Sequence, residues 1–304
     1  MKITVIESLG VKKEILESKF RSFFPESEVV FYEQRGNDEE LKERGKDSDI
    51  IIVANQPISQ EVAEHWKKVK LLSVAFTGLD HIPVEYLEKR GVTVLNAAGY
   101  SNVAVAELVF GLILTWKRQI PQNDQITRAG EKQSLPGTEL YGKTFGVLGT
   151  GAIGSTVCRL ALAFGCKVIA WNRSVKDISG VEWKTKEEVL SQADIISLHL
   201  PSTKETQGLI GEKELSLIQK HALFVNAARG KIVDEEALVN ALKERRFAAA
   251  LLDVFYSEPP LSKDHPLLSL DNVLLTPHIA FYTEEALMRR LDIVLEKIQN
   301  FLKS

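Results

Sequence analysis

The chain has 304 residues, enough for one large domain or two medium ones, each able to bury its own core. Hydrophobic residues make up 44% and charged residues 26%, and the formal net charge of −3 gives no bulk attraction to nucleic acid or to an anionic membrane. No apolar run approaches the length of a bilayer span, and the opening MKITVIESLG is too short and too acidic for a signal peptide, so a cytoplasmic protein without a nucleic-acid or membrane partner is expected.

That opening instead reads as a first strand. Short β-branched runs then alternate with helical patterns: KITVIE, DIIIVA, KLLSVAF and VTVLNA are strands, separated by amphipathic segments such as 11–23 and 59–67. In 101–130, Ser101 can cap a long helix, and Pro121 should kink or end its first part. The alternation resumes at KTFGVLG, KVIAWN, ADIISLHL, HALFVNA, AAALLDV and NVLLTP. Apolar strands spaced by helices indicate parallel sheets in an α/β protein. The last helix, YTEEALMRRLDIVLEKIQNFLKS, has one apolar stripe and is expected to return to the first lobe, so the chain would cross between lobes twice. Cys158 and Cys166 read as buried small hydrophobes, and no pair of histidines or cysteines has metal-ligand spacing, so no metal is expected.

The segment GVLGTGAIG has the strand, three glycines and helix start of a dinucleotide-binding turn. Gly149 permits the tight turn, Gly151 lets the backbone approach a pyrophosphate, and Gly154 allows close helix–strand packing. The helix that opens at Ala152 and Ile153 presents free N–H groups to phosphate. At the end of the next strand, where an NAD site carries an acidic residue, the chain reads Asn172-Arg173-Ser174. The amide removes the repulsion toward a 2′-phosphate, and Arg173 and Ser174 add donors, so NADP is expected over NAD.

Three further segments end predicted strands of the second lobe: NAARGKIVDEEAL with Arg229, LLDVFYSEPPL with Asp253 and Glu258, and LLTPHIAFYT with His278. With the glycine loop, FTGLDHIP, NAAGYSNVAVAELVFGLIL and SLHLPSTKETQGLI, these resemble the D-isomer-specific 2-hydroxyacid dehydrogenase family over nearly the whole chain. The resemblance implies hydride transfer between NADP(H) and a small 2-keto or 2-hydroxy acid. Arg229 would grip the carboxylate and polarise the carbonyl, His278 would move the proton, and Glu258 would hold the second ring nitrogen. It also implies cofactor-side roles for Pro201 and Asp253, and a substrate loop at Thr77 and Gly78 whose N–H groups complete the carboxylate grip. His199 is read as structural, and His65, His81, His221 and His265 have no constellation around them.

The implied architecture is a Rossmann-type dinucleotide-binding domain over 99–279 and a flavodoxin-like substrate domain over 1–98 with 280–304. A homodimer through the cofactor domains is implied as well. Tyr100, Phe281 and Tyr282 resemble the D-lactate dehydrogenase branch, with Tyr100 either a substrate contact or a packing residue; Asn172-Arg173 resembles glyoxylate and hydroxypyruvate reductases. The loop Val53-Ala54-Asn55-Gln56 lacks the arginine of phosphoglycerate-specific relatives, and the chain ends soon after its last helix, without their C-terminal extension. The loop points to an unphosphorylated substrate, and the resemblance implies one of the glyoxylate, hydroxypyruvate or pyruvate class. The alternative is a dinucleotide-sensing, corepressor-like binding protein with little turnover.

Overall fold

The computed structural model describes residues 1–257 and 260–303. Two compact units emerge: Met1–Ser101 with Tyr282–Ser304 form unit 1, and Asn102–Phe281 form unit 2.

Unit 1 begins with β1 (Lys2–Val5), α1 (Lys13–Phe23), β2 (Glu28–Phe31), α2 (Asp38–Gly45), β3 (Ile50–Val53), α3 (Gln60–His65), β4 (Leu71–Val74), α4 (Val84–Lys89) and β5 (Thr93–Asn96). Its five strands are all parallel in the order β2-β1-β3-β4-β5, the flavodoxin-like winding. Every residue of β3 and β4 is buried, as largely apolar runs without alternation require when helices cover both faces. The strand β2 carries no such signal. It is a half-exposed edge strand of only four residues, EVVF, so little apolar sequence is needed to hold it.

Unit 2 opens with α5 (Asn102–Lys117) and α6 (Ile120–Arg128). The helix breaks at Gln119, which takes φ 48°, and Pro121 falls in the first turn of α6, where its missing N–H costs nothing. There follow β6 (Thr144–Leu148), α7 (Ala152–Ala163), β7 (Lys167–Trp171), β8 (Val181–Trp183), α8 (Lys186–Gln192), β9 (Ile195–Leu198), α9 (Glu212–Ser216), β10 (Leu223–Asn226), α10 (Glu235–Lys243), β11 (Ala249–Leu252) and β12 (Val273–Leu275). The seven strands are parallel in the order β12-β11-β10-β9-β6-β7-β8. Growth of the sheet reverses direction between β6 and β9, the Rossmann switch point. The three-residue edge strand β8, VEW, was too short to read from the sequence. Cys158 and Cys166 are buried free thiols, Cys158 on α7 with burial pushing its pKa up to about 12.

The chain then re-enters unit 1 as α11 (Glu284–Lys303), whose buried face of Leu287, Leu291, Val294, Leu295 and Ile298 lies over α1 and β4. On the same helix Arg290 is buried, donates to the Leu9 carbonyl and lies 5.6 Å over the Tyr100 ring. Among the described residues no helix is long and apolar enough to cross a membrane.

Candidate active site

In a fully parallel sheet every strand delivers its following loop to one edge, so all the singled-out residues of unit 2 fall along the carboxyl edge of its sheet. The glycine loop follows β6 at the switch point. Gly149 takes φ 96°, and a Cβ there would lie 2.5 Å from the His199 carbonyl oxygen. A Cβ at Gly154 would lie 1.9 Å from the Gly149 oxygen. The fold itself therefore demands these two glycines. Gly151 differs: a Cβ there meets nothing within 4 Å. Its missing side chain serves no internal contact and leaves room for a ligand to reach the backbone. Gly151 also caps α7 without a side-chain bond, so the N–H groups that begin at Ala152 and Ile153 are uncovered by any cap. Nearby, the buried Thr150 hydroxyl has no hydrogen-bond partner among the described residues. This is a cradle for an anion such as a dinucleotide pyrophosphate, and the residues fit that group.

At the end of β7, Asn172 spends its amide inside the protein. Its Oδ1 accepts from Thr150 N–H at 3.4 Å, and its Nδ2 donates to the Ser174 carbonyl at 2.7 Å. The residue thus ties the glycine loop to its neighbour. Arg173 and Ser174 are exposed, and among the described residues Arg173 forms no ion pair within 4 Å. Its charge still reaches Glu205, whose pKa is held down first by the Thr203 hydroxyl and more weakly by Arg173. Pro201, after β9, is exposed, and its carbonyl accepts from the Thr206 hydroxyl at 2.6 Å.

Arg229, Asp253 and His278 follow β10, β11 and β12, three neighbouring strands. Asn226, the last residue of β10, is buried and braces the arginine loop. Its Nδ2 donates to the Arg229 carbonyl and its Oδ1 accepts from Ala228 N–H, both at 3.0 Å. Arg229 Nη1 donates to the Ala228 carbonyl at 2.8 Å. The adjoining Gly230 presses on the next loop, since a Cβ there would lie 1.8 Å from the Phe255 oxygen. The arginine loop and the 253–256 loop are therefore locked together.

His278 is half-buried with φ 56°, a left-handed backbone that costs a non-glycine residue about 1–3 kcal/mol. Its ring meets Phe281 edge to face at 5.8 Å. Asp253 is fully buried, with its oxygens turned to the 276–280 loop: Oδ1 accepts from Thr276 Oγ1 at 2.6 Å and Ile279 N–H at 2.9 Å, Oδ2 from Ala280 N–H at 2.8 Å. Burial raises its pKa, opposed by those three donors and by the His278 charge. Neither Asn226 nor Thr276 stood out in the sequence. An asparagine three residues before Arg229 was the available signal for the first; only the fold reveals the second. Glu258, assigned to hold the second ring nitrogen of His278, lies outside the described residues.

In unit 1, Thr77 and Gly78 follow β4, with the Thr77 carbonyl accepting from Asn96 Nδ2 at 2.8 Å. Tyr100 is 1% exposed and lies against Phe76 and Arg290. The loop after β3 also differs from its sequence reading. It carries no arginine of its own, yet Arg35, from the loop after β2, donates to Asn55 Oδ1 at 2.5 Å and lies 3.5 Å from Glu7. A guanidinium is therefore present at that loop.

The other histidines are engaged internally. His199 sets its carbonyl and Cβ against the glycine loop, bonds Ser197 Oγ through Nε2 at 2.8 Å, and has its pKa pushed down by burial to about 3. His65 and His81 bond backbone carbonyls, His221 bonds Asp194, and His265 bonds Glu235. Among the described residues no group of His, Cys, Asp and Glu could hold a metal ion.

Comparison with known proteins agrees with this geometry. The family model described as the NAD binding domain of D-isomer specific 2-hydroxyacid dehydrogenase matches residues 110–280. A D-3-phosphoglycerate dehydrogenase of Methanocaldococcus jannaschii is 42% identical over 273 residues, covering 87% of this chain and 52% of its own. The chain thus spans about half the length of that relative. A glyoxylate reductase of Pyrococcus furiosus is 36% identical over 307 residues, covering 96% of this chain and 91% of its own. Among solved structures, an acyclic imino acid reductase in complex with NADPH and D-Arg matches with a TM-score of 0.92 at 34% identity, over 100% of this chain and 97% of that one. With a family model matched over more than half of its length and a relative 36% identical over 96% of it, the chain belongs to the D-isomer-specific 2-hydroxyacid dehydrogenase family.

Proposed function

We propose that the protein is an NADPH-dependent reductase of a small, unphosphorylated 2-keto acid of the glyoxylate, hydroxypyruvate or pyruvate class, yielding the D-2-hydroxy acid. The observation that carries this reading is the placement of Arg229 and His278 on the loops after β10 and β12, the two strands that flank β11, braced through Gly230 and Asp253. Unit 2 is the dinucleotide-binding domain in this reading, and unit 1 the substrate domain. When bound, the reduced nicotinamide supplies the hydride to the carbonyl carbon. The chain's own residues do the rest. Arg229 grips the substrate carboxylate and polarises the carbonyl oxygen with its planar fork of donors. His278 delivers a proton to that oxygen, with Glu258 as the partner of its other nitrogen. Thr77 and Gly78 offer backbone N–H groups to the carboxylate, and Tyr100 supports that loop through Phe76.

The preference for NADPH rests on the β7 end. Asn172 brings no negative charge, its amide is committed to Thr150 and Ser174, and exposed Arg173 is available to a 2′-phosphate. NAD is the weaker alternative. A homodimer through unit 2 is part of the proposal, supported by α6, which buries no residue, and by the exposed stretch 127–139.

The test is a panel of glyoxylate, hydroxypyruvate, pyruvate and phosphohydroxypyruvate, each with NADPH and with NADH. Turnover of an unphosphorylated keto acid with a higher kcat/KM for NADPH is expected. A clear preference for NADH would sink the cofactor reading, and efficient use of only the phosphorylated acid would sink the substrate reading, with Arg35 the residue to examine. The likeness to an imino acid reductase supports one second reading, reduction of a C=N bond by the same residues. Repeating the panel with an added amine separates the two.

A further inference from the structure

The loop after β12 is braced more heavily than a histidine at its tip requires. Asp253, fully buried at the end of β11, sits where a carboxylate is costly unless donors surround it. Its two side-chain oxygens take three bonds from Thr276, Ile279 and Ala280, and its own carbonyl accepts from His278 N–H at 2.8 Å. Four bonds from one residue thus bracket His278, the position of this loop with a left-handed backbone. The family resemblance gave Asp253 a role on the cofactor side. These contacts assign it another task.

We propose that Asp253 and Thr276 are positioning residues for His278: the buried carboxylate holds the loop in its left-handed turn, and the Thr276 hydroxyl holds the carboxylate. The inference rests on the reading of His278 as the proton donor. Thr276 is the informative half of the pair, because it is the only side chain among the three donors to the carboxylate. The backbone donors survive a substitution at Thr276; the hydroxyl is lost with valine. Without it, Oδ1 loses its shortest bond, the carboxylate can turn away from Ile279 and Ala280, and the strained φ of His278 relaxes. Relaxation swings the imidazole off the line to the substrate oxygen, and a displacement of about 1 Å costs a reaction roughly a hundredfold.

The test compares the full-length wild type with Thr276→Val, Thr276→Ser and Asp253→Asn in three measurements: kcat on the keto acid that responds, the NADPH dissociation constant by fluorescence titration, and amide exchange over 276–280. Valine keeps the β-branched shape and removes only the donor. The expected result is a kcat lower by about tenfold to a hundredfold in Thr276→Val and Asp253→Asn, recovery in Thr276→Ser, faster exchange in 276–280, and an unchanged NADPH constant. Wild-type kcat in Thr276→Val overturns the proposal, as does a weakened NADPH constant with kcat unchanged, which would return the pair to the cofactor side. Should the wild type reduce no keto acid, the proposed function falls, and exchange alone then decides the brace. Faster exchange in Thr276→Val supports it, and unaltered exchange overturns it.

Discussion

Two loops on one edge of the unit 2 sheet leave the ordinary backbone regions by opposite means. The glycine loop takes φ 96° at Gly149 by having no side chain to strain, and stays open at Gly151, where an added Cβ would meet nothing. The histidine loop takes φ 56° at a residue with a full side chain, held by a buried carboxylate and its donors. One loop is shaped by removing atoms so that a ligand can approach; the other is cross-braced so that a side chain cannot wander. Cofactor binding should therefore respond to added bulk in the first, and turnover to lost hydrogen bonds in the second.

The largest effect tests the second loop. His278→Ala or Arg229→Ala should lower kcat/KM for the keto acid by about a hundredfold to ten-thousandfold, read by steady-state kinetics. Thermal unfolding should barely change, because the bonds from Asp253 end on backbone groups and on Thr276, which both substitutions leave in place. Near-normal turnover in both variants would remove this edge of the sheet from the chemistry.

Within the glycine loop, two alanines should behave differently. Gly154→Ala drives a Cβ to 1.9 Å from a backbone oxygen that cannot yield, and should destabilise the protein by about 3 kcal/mol in denaturant melts. Gly151→Ala meets open space and should cost under about 1 kcal/mol, the penalty of a poorer N-cap, while weakening NADPH binding. Equal destabilisation by the two would erase the distinction between a glycine the fold needs and one the ligand needs. A smaller effect is expected at the neighbouring strand end. Arg173→Ala should reduce the ratio of kcat/KM for NADPH over NADH by about tenfold to a hundredfold, the loss of a charge-assisted contact to phosphate.

The same contrast explains what the sequence could reveal. The glycine loop was legible because its physics is local: three small residues at set spacing, between a buried strand and a helix. The buried strands β3, β4, β9 and β10 were legible as largely apolar runs. The edge strands β2 and β8 were not, because an edge position with half its surface exposed leaves almost no constraint on side chains. Arg229 and His278 could be singled out by residue type and order, but the brace on His278 could not. It joins Asp253 to donors 23 and more positions away, a relation that exists only once β11 and β12 pair. Arg35 at the loop after β3 makes the same point: reading that loop alone missed a guanidinium that arrives from another strand end.

His199 joins the glycine loop to pH. Its carbonyl lies against Gly149 and its Cβ against Gly154, and burial lowers its pKa from 6.5 to about 3 in the folded chain. The unfolded chain therefore binds a proton in a range where the folded chain does not. The contribution of a neutral His199 to stability is complete above pH 6.5 and is lost as pH falls toward 3, with a slope of at most about 1.4 kcal/mol per pH unit. Asp194 acts in a lower window: burial pushes its pKa up, but the Thr144 N–H and His221 outweigh that and hold it below 3.8, so its contribution fades only under more acidic conditions. His199→Asn keeps a polar partner for Ser197 and cannot titrate. Urea melts from pH 7 to pH 4 should show wild-type stability falling faster than that of His199→Asn, so that the gap between them narrows with acid. Parallel curves would mean that protonation enters the fold elsewhere, and that the floor of the cofactor loop is indifferent to pH.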